Sequence, residues 1–283
     1  MPHDNEDFPL PDLRFVPVEA LVPHERHDAQ RTEPLVRQLA QETCLKNPPV
    51  VSALDVHGTP QYVVLDGANR STAARAAGFP HMLVQVVPYE EPHVRLSTWY
   101  HALGDVPIPE LQRDLQKITG LECHMEERIH GRALLARREA LACIVTGAGA
   151  VMALTGGHDL EEKNALLNQV VDVYRGRRFY RVTGDTLAAA RERHPDVTAV
   201  VVFPHFEPDE ILELAMGGSR LPAGITRHLV RWRALRINVP IERLADRTQD
   251  VAAKNAWLDA WLADRVRTRH VRFYEEPTVM FDE

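Results

Sequence analysis

Cysteine is scarce in this chain, and no two cysteines form a CxxC pair. Only Cys44, Cys123 and Cys143 are present among 283 residues. An odd, widely spaced set excludes a disulfide framework and points to a reducing compartment, with the thiols packing as small apolar groups. Long apolar runs are missing as well; nothing nears the ~20 residues that a membrane-spanning helix needs. A basic surplus is also absent, since 33 Lys and Arg face 40 Asp and Glu for a formal net charge of −7. That balance argues against a general nucleic-acid binder, though not against a local basic patch. The opening stretch MPHDNEDFPLPDL is acidic and has neither the basic start nor the apolar core of a signal peptide. The expectation is a cytoplasmic protein with no membrane partner.

What is present reads as an ordinary globular chain. Hydrophobic residues make up 45% and charged residues 26%, and the length suits one large domain or two ordinary ones. RFVPVEALV (14–22) predicts a short strand and a turn, followed by the polar loop PHERHD. Leu35, Val36, Leu39 and Ala40 recur at helical spacing and predict a helix from Glu33 to Cys44. PPVVSAL and QYVVLDG read as two strands joined by the turn DVHGTP, then Ser71–Ala77 as a helix stopped by Gly78, then HMLVQVV as a strand.

A second α/β stretch follows. It opens with the helix-like IPELQRDLQKI and continues with RREALACIVTGAGAVMALTGG, which has the pattern of a hairpin of apolar strands. DLEEKNALLNQVVDVYRG, TLAAARERH and EPDEILELAMGG read as helices, and VTAVVVF as a buried strand. RALRINVPIERL reads as extended, and the tail from Ala245 as an amphipathic helix with Trp257 and Trp261 at helical spacing. No internal repeat or low-complexity segment is visible.

The junction YVVLDGANRSTAARA (62–76) concentrates chemistry. A helix N-terminus offers unpaired N–H groups and a partial positive charge, and glycine ahead of it allows close approach, so the junction suits a phosphate. Arg70 adds a planar cation matched to phosphate oxygens. Asp66, at the strand end, is placed to hold Mg2+ or accept a proton. The plainer reading makes Asp66-Gly67 a turn, Asn69 an N-cap and Arg70 a solvated helix residue. LTGGHDLEEK is a second candidate for a helix-terminal anion site.

DGANRSTAARAAG after a strand pair resembles the DG-x-x-R-x-x-A-x-x-x-x-G box of the ParB and sulfiredoxin-like superfamily. Sulfiredoxins need a reactive cysteine in this loop, where this chain has Ala68 and Asn69. ParB proteins add a basic helix-turn-helix downstream, and no such pattern is visible. Further pieces resemble a third branch, the free L-serine kinases that form O-phospho-L-serine: LVPHE ending at Glu25, STWY at 97–100, GITRHLV at 224–230 and RINVPIERL after it. They occur in order from about residue 14 to 244. Two positions depart: the group often has two histidines where Ala68 and Asn69 stand, and can have a serine near Gln38.

The resemblance implies an α/β (α+β), two-lobed ParB/sulfiredoxin-like fold. Its cleft would lie between a nucleotide-binding lobe (1–105) and a smaller second α/β lobe (106–220). Residues 221–283 would supply a substrate loop returning to the cleft and a C-terminal extension. It implies transfer of the terminal phosphoryl group of ADP or ATP to free L-serine, with Mg2+ as cofactor. Glu25 and Asp66 would be catalytic, with Asp66 also on the metal. Gly67, Ala68, Asn69, Arg70 and Ser71 would cradle the nucleotide phosphates, and Trp99, Thr226, Arg227 and His228 would bind serine. His24 and His27 flank Glu25, but zinc needs a third ligand in a defined geometry. The alternative reading is a ParB-like, nucleotide-dependent DNA-binding regulator. From the charge, non-specific duplex DNA should bind weakly at physiological salt; a gel-shift titration checks this, and tight, salt-sensitive binding would favour the regulator.

Overall fold

The computed structural model describes residues 10–26, 43–147 and 149–274. The chain forms two compact units, each assembled from separate segments: unit 1 from 1–21, 29–93 and 230–283, unit 2 from 22–28 and 94–229. The chain thus interleaves, whereas the sequence reading divides it linearly. No helix among the described residues is long and apolar enough to cross a membrane.

Unit 1 is built on a sheet of β1 (Asp12–Pro17), β2 (Leu21–Pro23), β4 (Val50–Val56), β5 (Thr59–Asp66) and β6 (His81–Val86), in the order β1-β6-β4-β5-β2. β4 and β5 are the expected antiparallel pair, and β6 runs parallel to β4 with Val50 opposite Gln85. Helix α1 (Ala68–Ala76) follows β5 and starts three residues earlier than the periodicity predicts, because Gly67 takes a left-handed φ of 87° as N-cap. It ends as expected at Gly78 (φ 71°). The Gly78 N–H reaches Arg75 O and the Phe79 N–H reaches Ala74 O, a Schellman stop. The helix expected over 33–44 falls mainly on residues outside those described, as do His27 and Gln38; Cys44 itself opens the short strand β3 (Cys44–Leu45). β3 pairs with β15 (Val239–Pro240).

The segment expected to be extended from Arg233 is only briefly so. Trp232, Arg236 and Asn238 take positive φ, and β15 runs at once into helix α7 (Ile241–Ala245). The tail does form the expected helix, α8 (Val251–Arg267). It packs Leu258, Trp257 and Trp261 into the core that Phe15, Val64, Leu83 and Leu244 share. Lys254 on α8 is fully buried and caps carbonyls beside α7, donating to Asp246 O at 2.6 Å and Leu244 O at 3.3 Å.

Unit 2 is built on a six-stranded sheet in the order β12-β8-β13-β10-β11-β9. Its members are β8 (Tyr100–Gly104), β9 (Glu122–Glu127), β10 (Ala140–Val145), β11 (Ala150–Thr155), β12 (Phe179–Val182) and β13 (Val197–Val202). β10 and β11 are the predicted apolar hairpin, with Cys143 opposite Ala153. Around the sheet run α2 (Ile108–Leu115), α3 (Arg128–Ala136), α4 (Leu160–Asp172), α5 (Leu187–Arg193) and α6 (Pro208–Met216). Apart from the sheet, β7 (Val94–Thr98) pairs with β14 (Thr226–Val230). The N-terminus of α4 is not open to an anion: Asp159 accepts from Glu162 N at 2.8 Å, and Glu162 accepts from His158 N at 2.8 Å. Two carboxylates already fill the place that the sequence left for one.

The edge of the unit 1 sheet shows how the tail contributes. β1 is an edge strand, and its outer backbone is paired by a side chain of α8. Phe15 N–H donates to Asn255 Oδ1 at 2.7 Å, and Asn255 Nδ2 donates to Phe15 O at 3.0 Å. Asn255→Ala would leave both backbone groups without partners against the core, so unfolding in urea should show a loss of about 1–3 kcal/mol.

Candidate active site

The predicted residues fall into two groups, one in each unit. In unit 2 the segment holding His24 and Glu25 lies beside Leu221: Leu221 N–H donates to His24 O at 2.9 Å and Arg26 N–H to Leu221 O at 2.8 Å. This pairing aligns the Glu25 carboxylate with the turn ahead of β14. Gly224 N–H donates to Oε2 at 2.7 Å; Thr226 N–H and Oγ1–H donate to Oε1 at 2.8 and 2.5 Å. Gly224 takes φ 78°, and a Cβ there would collide with the Arg181 guanidinium. Glycine therefore lets two amides turn onto one carboxylate, a small anion-binding nest.

A second layer fixes this arrangement. The Thr226 hydroxyl has one proton, which goes to Glu25, so it accepts from His24 Nε2–H at 2.7 Å. The His24 and His228 rings meet edge to face at 5.2 Å. Alternation along β14 puts Thr226 and His228 on one face and Arg227 on the other. The Arg227 guanidinium lies 4.6 Å over the Trp99 ring, and Trp99 N–H donates to Ile225 O at 2.8 Å. Glu25, His24, Trp99, Thr226, Arg227 and His228 are thus gathered around β14.

Sequence reasoning missed His101, which has no motif of its own. It is fully buried and donates Nε2–H to Gly224 O at 3.2 Å while Nδ1 accepts from Tyr174 Oη–H at 2.9 Å. The carbonyl can only accept, so this assigns the tautomer. Burial pushes the His101 pKa down to about 3, and Arg181 adds to that against the bond to Gly224. His101 is therefore a neutral strut beneath the glycine that holds Glu25.

In unit 1 the other group surrounds the start of α1. Asp66 closes β5, and Gly67 O accepts from Ser71 N–H at 3.0 Å and from Ser71 Oγ at 3.2 Å. Ser71 is buried, its hydroxyl turned back onto the helix. The N-cap is Gly67, which has no side chain to cap the first turn formed by Ala68, Asn69 and Arg70; Asn69 lies inside the helix rather than at its cap. Asp66 Oδ2 accepts from Arg70 Nη2 at 3.1 Å and from Arg233 Nη2. Burial pushes the Asp66 carboxyl up, but the Arg233 and Arg70 charges and the bonds from Arg233 and the Gly67 amide outweigh it and hold it below the usual carboxylate value. Both guanidiniums bond Oδ2, and the Asp66 side chain is 40% exposed. Arg233 was not singled out from the sequence.

The His101 assignment has a pH consequence. Its folded pKa lies below the ordinary value of ~6.5, so its contribution to stability is full above that pH and is lost as pH falls towards about 3. Proton NMR of the folded protein should show a His101 ring that does not titrate between pH 8 and 5, with stability declining on acidification. A His101 midpoint near 6.5 would contradict the buried neutral ring.

No family model matches the chain. Among curated proteins, the ATP-dependent L-serine kinase SbnI of Staphylococcus aureus is 26% identical over 275 residues, covering 96% of this chain and 97% of that protein. An ATP-dependent L-serine kinase of Desulfurococcus mucosus is 22% identical over 235 residues, 81% of this chain and 90% of its own. Among solved structures, SbnI with a C-terminal truncation superposes with a TM-score of 0.69 at 22% identity, covering 94% of this chain and all of that one. A free serine kinase in complex with AMP gives 0.68 at 22% identity, covering 85% and 98%. These likenesses establish the mixed α/β fold. The group that the DG, PHE, TWY and TRH motifs resemble is the group to which this chain is similar along nearly all of its length: proteins named L-serine kinases.

Proposed function

We propose that this protein is a kinase that transfers the terminal phosphoryl group of an adenine nucleotide to the hydroxyl of free L-serine. The observation that carries the reading is the Glu25 carboxylate. A carboxylate has about four lone-pair sites, and three are taken by Gly224 N–H, Thr226 N–H and Thr226 Oγ1–H. One remains on Oε2. The side chain is 13% exposed, enough for a small hydroxyl to reach a base whose direction is already fixed. Such a group suits a general base for an alcohol.

In the reaction the serine Oγ forms a bond to the terminal phosphorus, the bond from that phosphorus to the bridging oxygen breaks, and the shortened nucleotide leaves. The serine proton passes to Glu25. Trp99 walls the substrate, with Arg227 laid over it, and His228, on the same face of β14 as Thr226, binds the serine carboxylate. The donor phosphates lie on the first-turn amides of α1, from Ala68 to Ser71, with Arg70 beside them and Gly67 allowing close approach. Asp66 orients guanidiniums there rather than taking the proton. The names of the relatives favour ATP as donor, with ADP the second candidate. Mg2+ belongs to this reading as the nucleotide's counter-ion: it would neutralise charge on the phosphates, with Asp66 the carboxylate that would hold it. A cytoplasmic location and weak affinity for nucleic acid complete it.

Glu25→Gln tests the assignment. Glutamine keeps the size but sets an NH2 against the Gly224 or Thr226 donors, so kcat should fall well beyond any rise in the KM for serine; general-base assistance is typically worth ~10²- to 10⁴-fold. Phosphoryl transfer is loose at the transition state and asks less of a base, so the lower end is expected. A kcat loss below about tenfold in folded protein would remove Glu25 from this role.

A further inference from the structure

Helix α4 carries a line of polar residues. Glu161, Asn164, Asn168 and Asp172 follow one another at intervals of three, four and four residues, so they share one face. All four reach the segment that holds Glu25 or the segment that pairs with it. Ser219 Oγ–H donates to Glu161 Oε1 at 3.2 Å. Asn164 Nδ2 and Asn168 Nδ2 both donate to Arg220 O, at 3.1 and 2.8 Å. Asp172 Oδ2 accepts from Arg26 Nη1 at 2.9 Å. Leu221, next in the chain, pairs with the backbone on either side of Glu25.

The two outer contacts are exposed, and such contacts contribute little. The two inner ones are buried, with Asn164 5% and Asn168 3% exposed. Leu167, Val170 and Val171 on the same helix are buried as apolar residues, and apolar side chains at 164 and 168 would serve a helix that needed only to pack. Instead both amides converge on one carbonyl and fill its two lone pairs. The Asn168 nitrogen also faces Asn164 O at 2.9 Å and Asn164 Oδ1 at 3.1 Å. The backbone carbonyls can only accept, which assigns the orientation of the Asn168 amide. Its buried Oδ1 then has no donor among the described residues. An acceptor is left unsatisfied so that the nitrogen can hold Arg220. The stretch after Arg220 serves Glu25 twice: Leu221 sets its backbone, and Gly224 and Thr226 hold its carboxylate. A shift at Arg220 would move both supports together.

We infer that Asn168, assisted by Asn164, is a positioning residue for the proposed base: it fixes Arg220 and, through Leu221, the direction of the Glu25 carboxylate. The inference rests on the reading of Glu25 as the base.

Serine phosphorylation by the full chain, with circular dichroism and urea unfolding as checks of fold, tests it. Asn168→Leu keeps the branched shape and removes the bond to Arg220 O. It should lower kcat about tenfold, short of the ~10²-fold that an ångström of misplacement can cost, because Asn164 still holds the carbonyl. The KM for the nucleotide should not change. In a Glu25→Gln background the same change should cost less than about twofold, since no base is left to misplace. Asn164→Ala removes the longer of the two bonds and should lower kcat in the same direction; it decides the matter if Asn168→Leu does not fold. A wild-type chain that forms no phosphoserine, or a Glu25→Gln variant as active as wild type, would overturn the base reading and this inference with it. With Glu25→Gln impaired, kcat within about twofold of wild type for folded Asn168→Leu, or for Asn164→Ala in its place, would overturn the positioning role alone. A loss by the same factor with Glu25 and with Gln at that position would also overturn it, as the mark of a residue that does not act through Glu25.

Discussion

The Glu25 carboxylate and the backbone of residues 224–226 form the contact on which the candidate chemistry depends. The partners are 199 and 201 residues apart, so only the completed fold of unit 2 brings them together. Each component has a local physical reason. Gly224 supplies the positive φ, Leu221 pairs with the backbone on either side of Glu25, and His101 holds the Gly224 carbonyl from below. His24 then fixes the Thr226 hydroxyl, so that its proton points at Glu25. A carboxylate held in this way costs little reorganisation when a substrate proton arrives, which is the sense in which such a site is preorganised.

Unit 1 solves a related problem with amides in place of glycines. Its last segment returns after residue 230 and has little regular structure with which to pair. Two side chains make the missing strand contacts: Asn255 on the outer edge of β1, and Gln85 on the segment that carries Arg233. Each satisfies one N–H and one C=O, as a neighbouring strand would. In this way the C-terminal extension is part of the core rather than an appendage, with Trp257, Trp261 and Leu258 packed against Phe15 and its neighbours.

Legibility in the sequence followed the strength of local patterns. VTAVVVF and the apolar hairpin around Cys143 were readable because buried strands carry continuous apolar runs. The polar strand β9, ECHMEE, was not: it is a sheet edge with mostly exposed side chains, and no alternation survives in its sequence. α1 was seen, but its start was placed late, since the glycine that begins it reads equally well as part of a turn. The motif residues on β14 and at the Asp-Gly junction were legible through resemblance. His101, Gln85 and Arg233 were not, because each acts through a partner that lies 123, 149 and 167 residues away respectively and has no short-range signature.

The most direct measurement of the central claim is product formation by the unmodified protein. Purified chain incubated with L-serine, Mg2+ and either ATP or ADP, then analysed by mass spectrometry, should yield O-phospho-L-serine and the nucleotide shortened by one phosphate in equal amounts. Both should depend on serine. Nucleotide loss without phosphoserine, or no turnover with either donor in folded protein, would contradict the assignment of this chain as a free serine kinase.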